Sequence, residues 1–410
     1  MTSACPPDGP GAAVIVVREG QVLLRTGYGL ANLELQVPVA PHMVFRLGSI
    51  TKQFTALAIL MLLEAGKLAL DEPLTTLLPE YPAPSHVVTV EHLLTHTSGI
   101  KNLTSMPELV PLWRKDMTLP ELIDLFKDLP LEFTPGDRYA YSNSGYLLLG
   151  AIIERLSGVS YEQFLRERIF EPLGMVHTAY DHTERIVAGR VSGYQKGKDG
   201  LENAPYLSMT QPHAAGALMS SVDDLALWDA ALYTERLVRQ ATLQRAFTPY
   251  LLANGVSTGY GYGWGITSHE GHPIIEHSGG IHGFLSDAKR LPADRLFVAV
   301  LMNSMLGNPP PDFPAMQIAA AALGLPYQQP ATLSLEPALL QRYEGVYQDQ
   351  EGEHEERTVR CKDDHLALGS AQGGEADLFP LSAEAFFFKH SFARVTFHLD
   401  AAGTVQSLER

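Results

Sequence analysis

Apolar positions along the chain fall into distinct regimes. Residues 12–30, AAVIVVREGQVLLRTGYGL, form two β-rich runs on either side of Arg-Glu-Gly and predict an opening hairpin. From Thr51 to Glu64 the apolar positions run nearly all round a helix that Gly66 would end. This helix is predicted to be central, with Ser49 as its cap. Between about 70 and 245 helical patterns dominate: VEHLLTH, LPELIDLFKDL, SGYLLLGAIIERLSG, YEQFLRERIFEPLG and VDDLALWDAAL, separated by Pro/Gly loops. GYGYGWGI, PIIEH, FLSDAKRL and RLFVAVLMN then read as consecutive strands, and FPAMQIAAAALG as a closing helix.

Strands at both ends of this region predict one antiparallel sheet flanked by helices, built from the first and last parts of residues 1–325, with a mostly helical subdomain inserted at about 70–245. Residues 326–336 are Pro/Gln/Thr-rich and read as a linker. Beyond them YEGVYQ, RTVRCK, HLALG, DLFPL, AFFFK and ARVTFHLD predict a small all-β domain over 337–410, so the fold class is α+β.

Composition narrows the function classes. At 410 residues, with 45% hydrophobic and 19% charged, the chain is an ordinary globular protein of more than one core. Thirty basic against 46 acidic side chains leave a charge of −16, which repels a phosphate backbone or an anionic bilayer. Nucleic acid and membrane are therefore not expected partners, and a homo-oligomer is left open. The apolar run ALAILMLL, 56–63, is far shorter than the roughly 20 residues that span a bilayer. The first residues lack a basic region before an apolar core, and two distant cysteines make no disulfide framework, so a cytoplasmic location is expected.

Candidate chemistry begins in RLGSITKQFTALAIL, where Ser49 and Lys52 are three apart and so are neighbours on a helix surface. A hydroxyl beside an amine that loses its charge when desolvated is an activated nucleophile. Read alone, the pair is more often a helix cap followed by a surface lysine, because serine caps are common. Ser98 and Lys101 repeat the spacing in THTSGIKNL, where Gly99 and the lack of a periodic run predict a loop. In YAYSNSGYLLLG, Tyr141 can act as a phenolate base or as an acid, and the Asn143 amide can bind a carbonyl. Tyr139 and the Tyr206-Leu207-Ser208 triplet are weaker matches. In PIIEHSGGIHGF, His277, Gly279 and Gly280 end an apolar strand, where glycines leave backbone N–H groups free for an oxyanion. His269-Glu270-Gly271 fits the same short pattern but reads as a hairpin turn. His92 and His96, at i and i+4, lack the glutamate of a zinc-protease helix, so no metal is expected.

The order Ser49-x-x-Lys52, Tyr141-x-Asn143, His277-x-Gly279 on helix, helix start and strand resembles the serine β-lactamase and penicillin-binding superfamily, in its class C-like branch of esterases and D-aminopeptidase-like hydrolases. FRLGSITKQFTALAILMLLEAGKLALDEPL, VEHLLTHTSGI and YSNSGYLLLGAIIE carry the likeness over most of residues 12–325. The resemblance implies an acyl-enzyme on Ser49. Lys52 and Tyr141 would handle its proton, Asn143 would orient the substrate, and the N–H groups of Ser49 and Gly280 would hold the oxyanion. It implies no cofactor, and it makes the C-terminal domain lipocalin-like. His277 stands where lactamases carry lysine, which favours small esters, amides or peptides over β-lactams. The non-enzymatic alternative is a ligand sensor or scaffold of the same fold, acylated slowly or not at all.

Overall fold

Glu19 and Gly20 both take positive φ, 53° and 78°, in a two-residue turn whose twist suits antiparallel strands. They join β1 (Ala12–Arg18) to β2 (Gln21–Tyr28), the hairpin expected from the sequence. The structure is a computed structural model that describes residues 5–84, 86–306, 309–348, 356–370, 375–400 and 403–409. The chain divides into two compact units, Met1–Leu323 and Gly324–Arg410.

In the first unit the hairpin joins β3 (Gly265–His269), β4 (His272–Ile281), β5 (Phe284–Leu291) and β6 (Leu296–Met302) in a six-stranded sheet of order β3-β4-β5-β6-β1-β2. All neighbours are antiparallel, and β1 registers on β6 with Val14 opposite Val300. Helix α1 (Thr51–Glu64) is buried over most of its circumference, as an all-round apolar pattern requires. It closes with Gly66 at φ 66°, whose N–H reaches Leu63 O while Lys67 N–H reaches Leu62 O, the glycine stop expected. Helix α2 (Asn143–Ser157) packs on α1, while α3 (Val222–Ala231) packs on β1 and β6. Helix α4 (Asp312–Ala322) lies on β5 and β6.

Three local expectations need correction. Ser49 does not cap α1: it lies in the 3-10 turn Gly48–Ile50, and no side chain caps the first turn of the helix. Leu47 and Ile50 already have helical φ and ψ, so no extended residue remains from which a hydroxyl could fold back. GYGYGWGI enters a strand only at Gly265, because Gly259 and Gly263 take φ 63° and 83°. Gly263 is seated against α1, where a Cβ would stand 2.7 Å from the Lys52 carbonyl oxygen. The inserted region is also less helical than its pattern: VEHLLTH yields only Val90–Leu94. A small sheet pairs Phe45–Arg46 and Ala179–Tyr180 with Leu218–Ser220.

The second unit is an antiparallel meander of seven strands in chain order, from Gly345–Gln348 to Val405–Glu409. Tyr343, Leu366, Leu378, Phe386, Val395 and Phe397 form its core. The last strand, VQSLE, is too polar to stand out in the sequence. Among the described residues no helix is long and apolar enough to cross a membrane.

The serine turn rests directly on β4. Ser286 on β5 donates its hydroxyl to Leu47 O at 2.7 Å, and a Cβ on Gly279 would meet that same oxygen at 2.0 Å. Gly48, at φ 54°, would bring a Cβ to 2.8 Å from Gly280 N. Gly279→Ala is therefore expected to drive the turn off the strand. The expected cost is about 3 kcal/mol of stability by chemical denaturation, and an unchanged denaturation midpoint would show that the turn can move freely.

Candidate active site

The direct run from turn to helix aims Ser49 and Lys52 at each other. Lys52 Nζ is fully buried and contacts three oxygens: Ser49 Oγ at 3.1 Å, Asn143 Oδ1 at 2.7 Å and Ala215 O at 2.9 Å. None of these partners is charged, and desolvation holds the Lys52 amine well below its ordinary pKa. A neutral amine fits the contacts. Its two hydrogens go to the amide and carbonyl oxygens, which can only accept, and its lone pair faces the Ser49 hydroxyl.

Tyr141 approaches the serine from the other side, its hydroxyl donating to Ser49 Oγ at 2.7 Å. Burial pushes this phenol upward, which favours its protonated form. Ser142 caps α2 by accepting from Gly145 N–H, which leaves Asn143 at the first helical position. Asn143 Nδ2 donates to Thr104 Oγ1 at 2.9 Å, so its amide is fixed between Thr104 and Lys52.

His277 has its ring centre 6.3 Å from that of Tyr141. Its Nδ1 lies 2.6 Å from the Ser278 carbonyl, which can only accept. Nδ1 therefore carries the hydrogen, and Nε2 accepts from the Tyr260 hydroxyl at 2.8 Å. Burial, with the nearby Lys52 as a smaller cause, brings His277 down to about 4. Gly279 lies under Leu47, and Gly280 borders the cleft.

His96, weighed in the sequence only as a metal ligand, instead packs its ring 4.3 Å from that of Tyr141. Its Nδ1 accepts Ser142 N–H at 3.1 Å, and its backbone holds φ 59°, rare for a side chain of this size. Desolvation keeps it well below the ordinary histidine range. Tyr146 and Tyr260 complete the aromatic wall around it. The only local signal for this role is the THTSG string; Ala215 has none.

The rival matches lie elsewhere. Ser98 Oγ accepts from Ile100 N–H within its own loop, and Ser208 donates to Asp116 at 2.6 Å. Glu270 and Gly271 turn the β3–β4 hairpin at φ 48° and 82°. His92 closes a capping box with Thr89. Among the described residues no group of three metal-ligating side chains converges. Beside Ser49 opens a cavity of about 220 Å³ with mostly apolar walls, including Leu103, Leu109, Trp113, Leu147, Leu207 and Ile281.

This sheet-and-helix fold, with its serine and lysine at the junction, defines the class: a serine hydrolase of the β-lactamase and transpeptidase fold. The Beta-lactamase family matches residues 6–323, and the chain belongs to it. The chain is 30% identical over 418 residues to penicillin-binding protein 4* of Bacillus subtilis (strain 168), across 95% of this chain and 90% of that one. It is 30% identical over 335 residues to a D-aminopeptidase of Gluconobacter oxydans (strain 621H), covering 79% of this chain and 62% of the relative. Among solved structures, the octameric penicillin-binding protein homologue from Pyrococcus abyssi superimposes with a TM-score of 0.70 at 30% identity, over 95% of this chain and 92% of that one.

Burial also brings His213 down to about 4. His213 and His277 each stay neutral when folded and protonate near 6.5 when unfolded. The unfolded state thus binds more protons between about 6.5 and about 4, and both residues withdraw stability as pH falls through that window. Imidazole NMR is expected to show neither ring titrating between pH 5 and 8. A midpoint near 6.5 for His277 would put a cation in the cleft.

Proposed function

We propose that the protein hydrolyses small amides, peptides or esters through an acyl-enzyme on Ser49. The observation that carries this reading is the chain of contacts from Tyr141 through Ser49 to a buried Lys52 whose charged form desolvation disfavours. Ser49 Oγ attacks the carbonyl carbon while its proton passes to Lys52. Tyr141, held as a phenol, donates to the departing nitrogen or oxygen as the acyl–Ser49 bond forms. The proton on Lys52 then returns to the Tyr141 phenolate, which resets both groups. Water attacks the acyl carbon and gives a proton to Lys52, and Ser49 Oγ leaves with that proton as the acid is released. The N–H groups of Ser49 and Gly280 are assigned to the oxyanion, supported by the seating of the serine turn on β4. Asn143 acts chiefly by positioning Lys52, supported by its two fixed contacts.

The cavity beside Ser49 favours an apolar group of modest size, and the D-aminopeptidase relative supports amide bonds as the target. Neutral His277 offers no cation to a substrate carboxylate, which argues for weak or absent β-lactamase activity. Assembly into a homo-oligomer is supported by the octameric relative, and a cytoplasmic location by the free thiols Cys5 and Cys361. The C-terminal unit is read as a lipocalin-like accessory domain on its seven-stranded meander.

Intact mass after exposure to a fluorophosphonate tests the nucleophile. One adduct is expected on wild type and on Ser98→Ala, and none on Ser49→Ala with an unchanged circular dichroism spectrum. No adduct on folded wild type would favour the sensor or scaffold reading. Lys52→Ala is expected to lower kcat/KM for p-nitrophenyl esters or D-amino-acid amides by roughly 10²–10⁴. In wild type kcat/KM should rise with pH as Lys52 deprotonates, with its midpoint below the ordinary 10.5. Near-normal rates in Lys52→Ala would make the lysine structural.

A further inference from the structure

On the face of β4 and β5 that carries Glu276, Ser278 and Gly280, the opposing residues are Lys289, Asp287 and Leu285. A second cavity, of about 370 Å³, opens there against the start of α4, with Pro311 and Asp312 on its far wall. Gly280 lines both this cavity and the apolar one. Three carboxylates, Glu276, Asp287 and Asp312, share this space with one ammonium, that of Lys289. Lys289 Nζ is bonded to Glu276 and reaches Asp287 Oδ2 only at 3.4 Å. Asp287 is 1% exposed, and its Oδ1 accepts no hydrogen bond, with the same ammonium 3.3 Å away. Burial pushes Asp287 up to about 7 and raises Asp312 as well, the mark of carboxylates short of positive charge. Among the described residues lining the apolar cavity there is no lysine or arginine.

We propose that this acidic shelf is a charge-selective subsite of the Ser49 centre, which takes an organic ammonium carried by the substrate across the scissile carbonyl from its apolar group. The proposal rests on Ser49 being the nucleophile. A cation there supplies positive charge that Glu276, Asp287 and Asp312 lack and favours their ionised forms, whereas a carboxylate in the same place meets repulsion from those that are ionised.

Three phenylacetyl esters differing only in leaving group test it: choline, its neutral isostere 3,3-dimethylbutanol, and glycolate. With the Ser49→Ala background subtracted, kcat/KM is expected to favour the choline ester over the neutral one by about tenfold at low salt, with the glycolate ester slowest. The preference should shrink as salt is added, and Asp312→Asn should cut it at least threefold. A second measurement needs no turnover: butyltrimethylammonium should slow fluorophosphonate labelling of Ser49 in wild type, and less so in Asp312→Asn. Equal rates for the choline and neutral esters, or labelling unaffected by the ammonium, would overturn the subsite. A wild type that takes no Ser49 adduct overturns the nucleophile and the subsite together, and labelling alone identifies that case.

Discussion

A lysine amine shut away from water is the constraint around which the first unit is organised. Lys52 meets oxygens from three separate segments: the serine turn, the start of α2 and the carbonyl of Ala215 in the short helix His213–Gly216. A buried amine without partners would cost several kcal/mol, so these segments must all be in place for α1 to bury its apolar face. The demand runs both ways. Packing of α1 on α2 desolvates the amine, and the three oxygens make that packing tolerable without supplying a counter-charge. The chemistry at Ser49 is thus tied to the core rather than attached to its surface.

The approach of turn to sheet is the second condition, and it is steric. Leu47 and Gly48 stand so close to Gly279 and Gly280 that a methyl group at Gly48 or Gly279 would collide with backbone atoms. Ser286 fixes the contact from the neighbouring strand through the Leu47 carbonyl. Strand, turn and helix are therefore held together as one piece, and Ser49 and Gly280 of that piece both line the cleft.

Much of this was legible because its causes are local. The Glu19-Gly20 turn, the all-round apolar helix with its glycine stop, and the β-rich runs of β4 to β6 are written in short stretches of sequence. The spacing of Ser49 and Lys52 on one turn was legible for the same reason. What escaped depends on residues far apart in the chain: the Ala215 carbonyl, 163 positions from Lys52, and the packing of His96 on Tyr141. GYGYGW misled because Gly263 serves close approach to α1, Gly261 lies against the Ala246 carbonyl, and Gly259 and Gly263 take positive φ. His277 was singled out by position, but its tautomer follows from Tyr260 and the Ser278 carbonyl, which no short motif encodes.

Two lysines show what decides the electrostatics. Lys52 and Lys289 are both buried, and desolvation acts on each in the same direction. Lys289 is nonetheless raised, because Asp287 and Glu276 stand against it, while Lys52 is lowered, because its neighbours are a hydroxyl, an amide and a carbonyl. Dipoles can satisfy an amine's hydrogens without making its charge favourable, whereas carboxylates do both. One lysine is thereby prepared to accept a proton and the other to hold one permanently. The separation places a reacting lysine whose charge is disfavoured beside a wall rich in carboxylates. With His96 and His277 held low and Lys52 pushed away from its ordinary charged state, the reacting centre does little to offset that wall, and Gly280 lines the cavities of both.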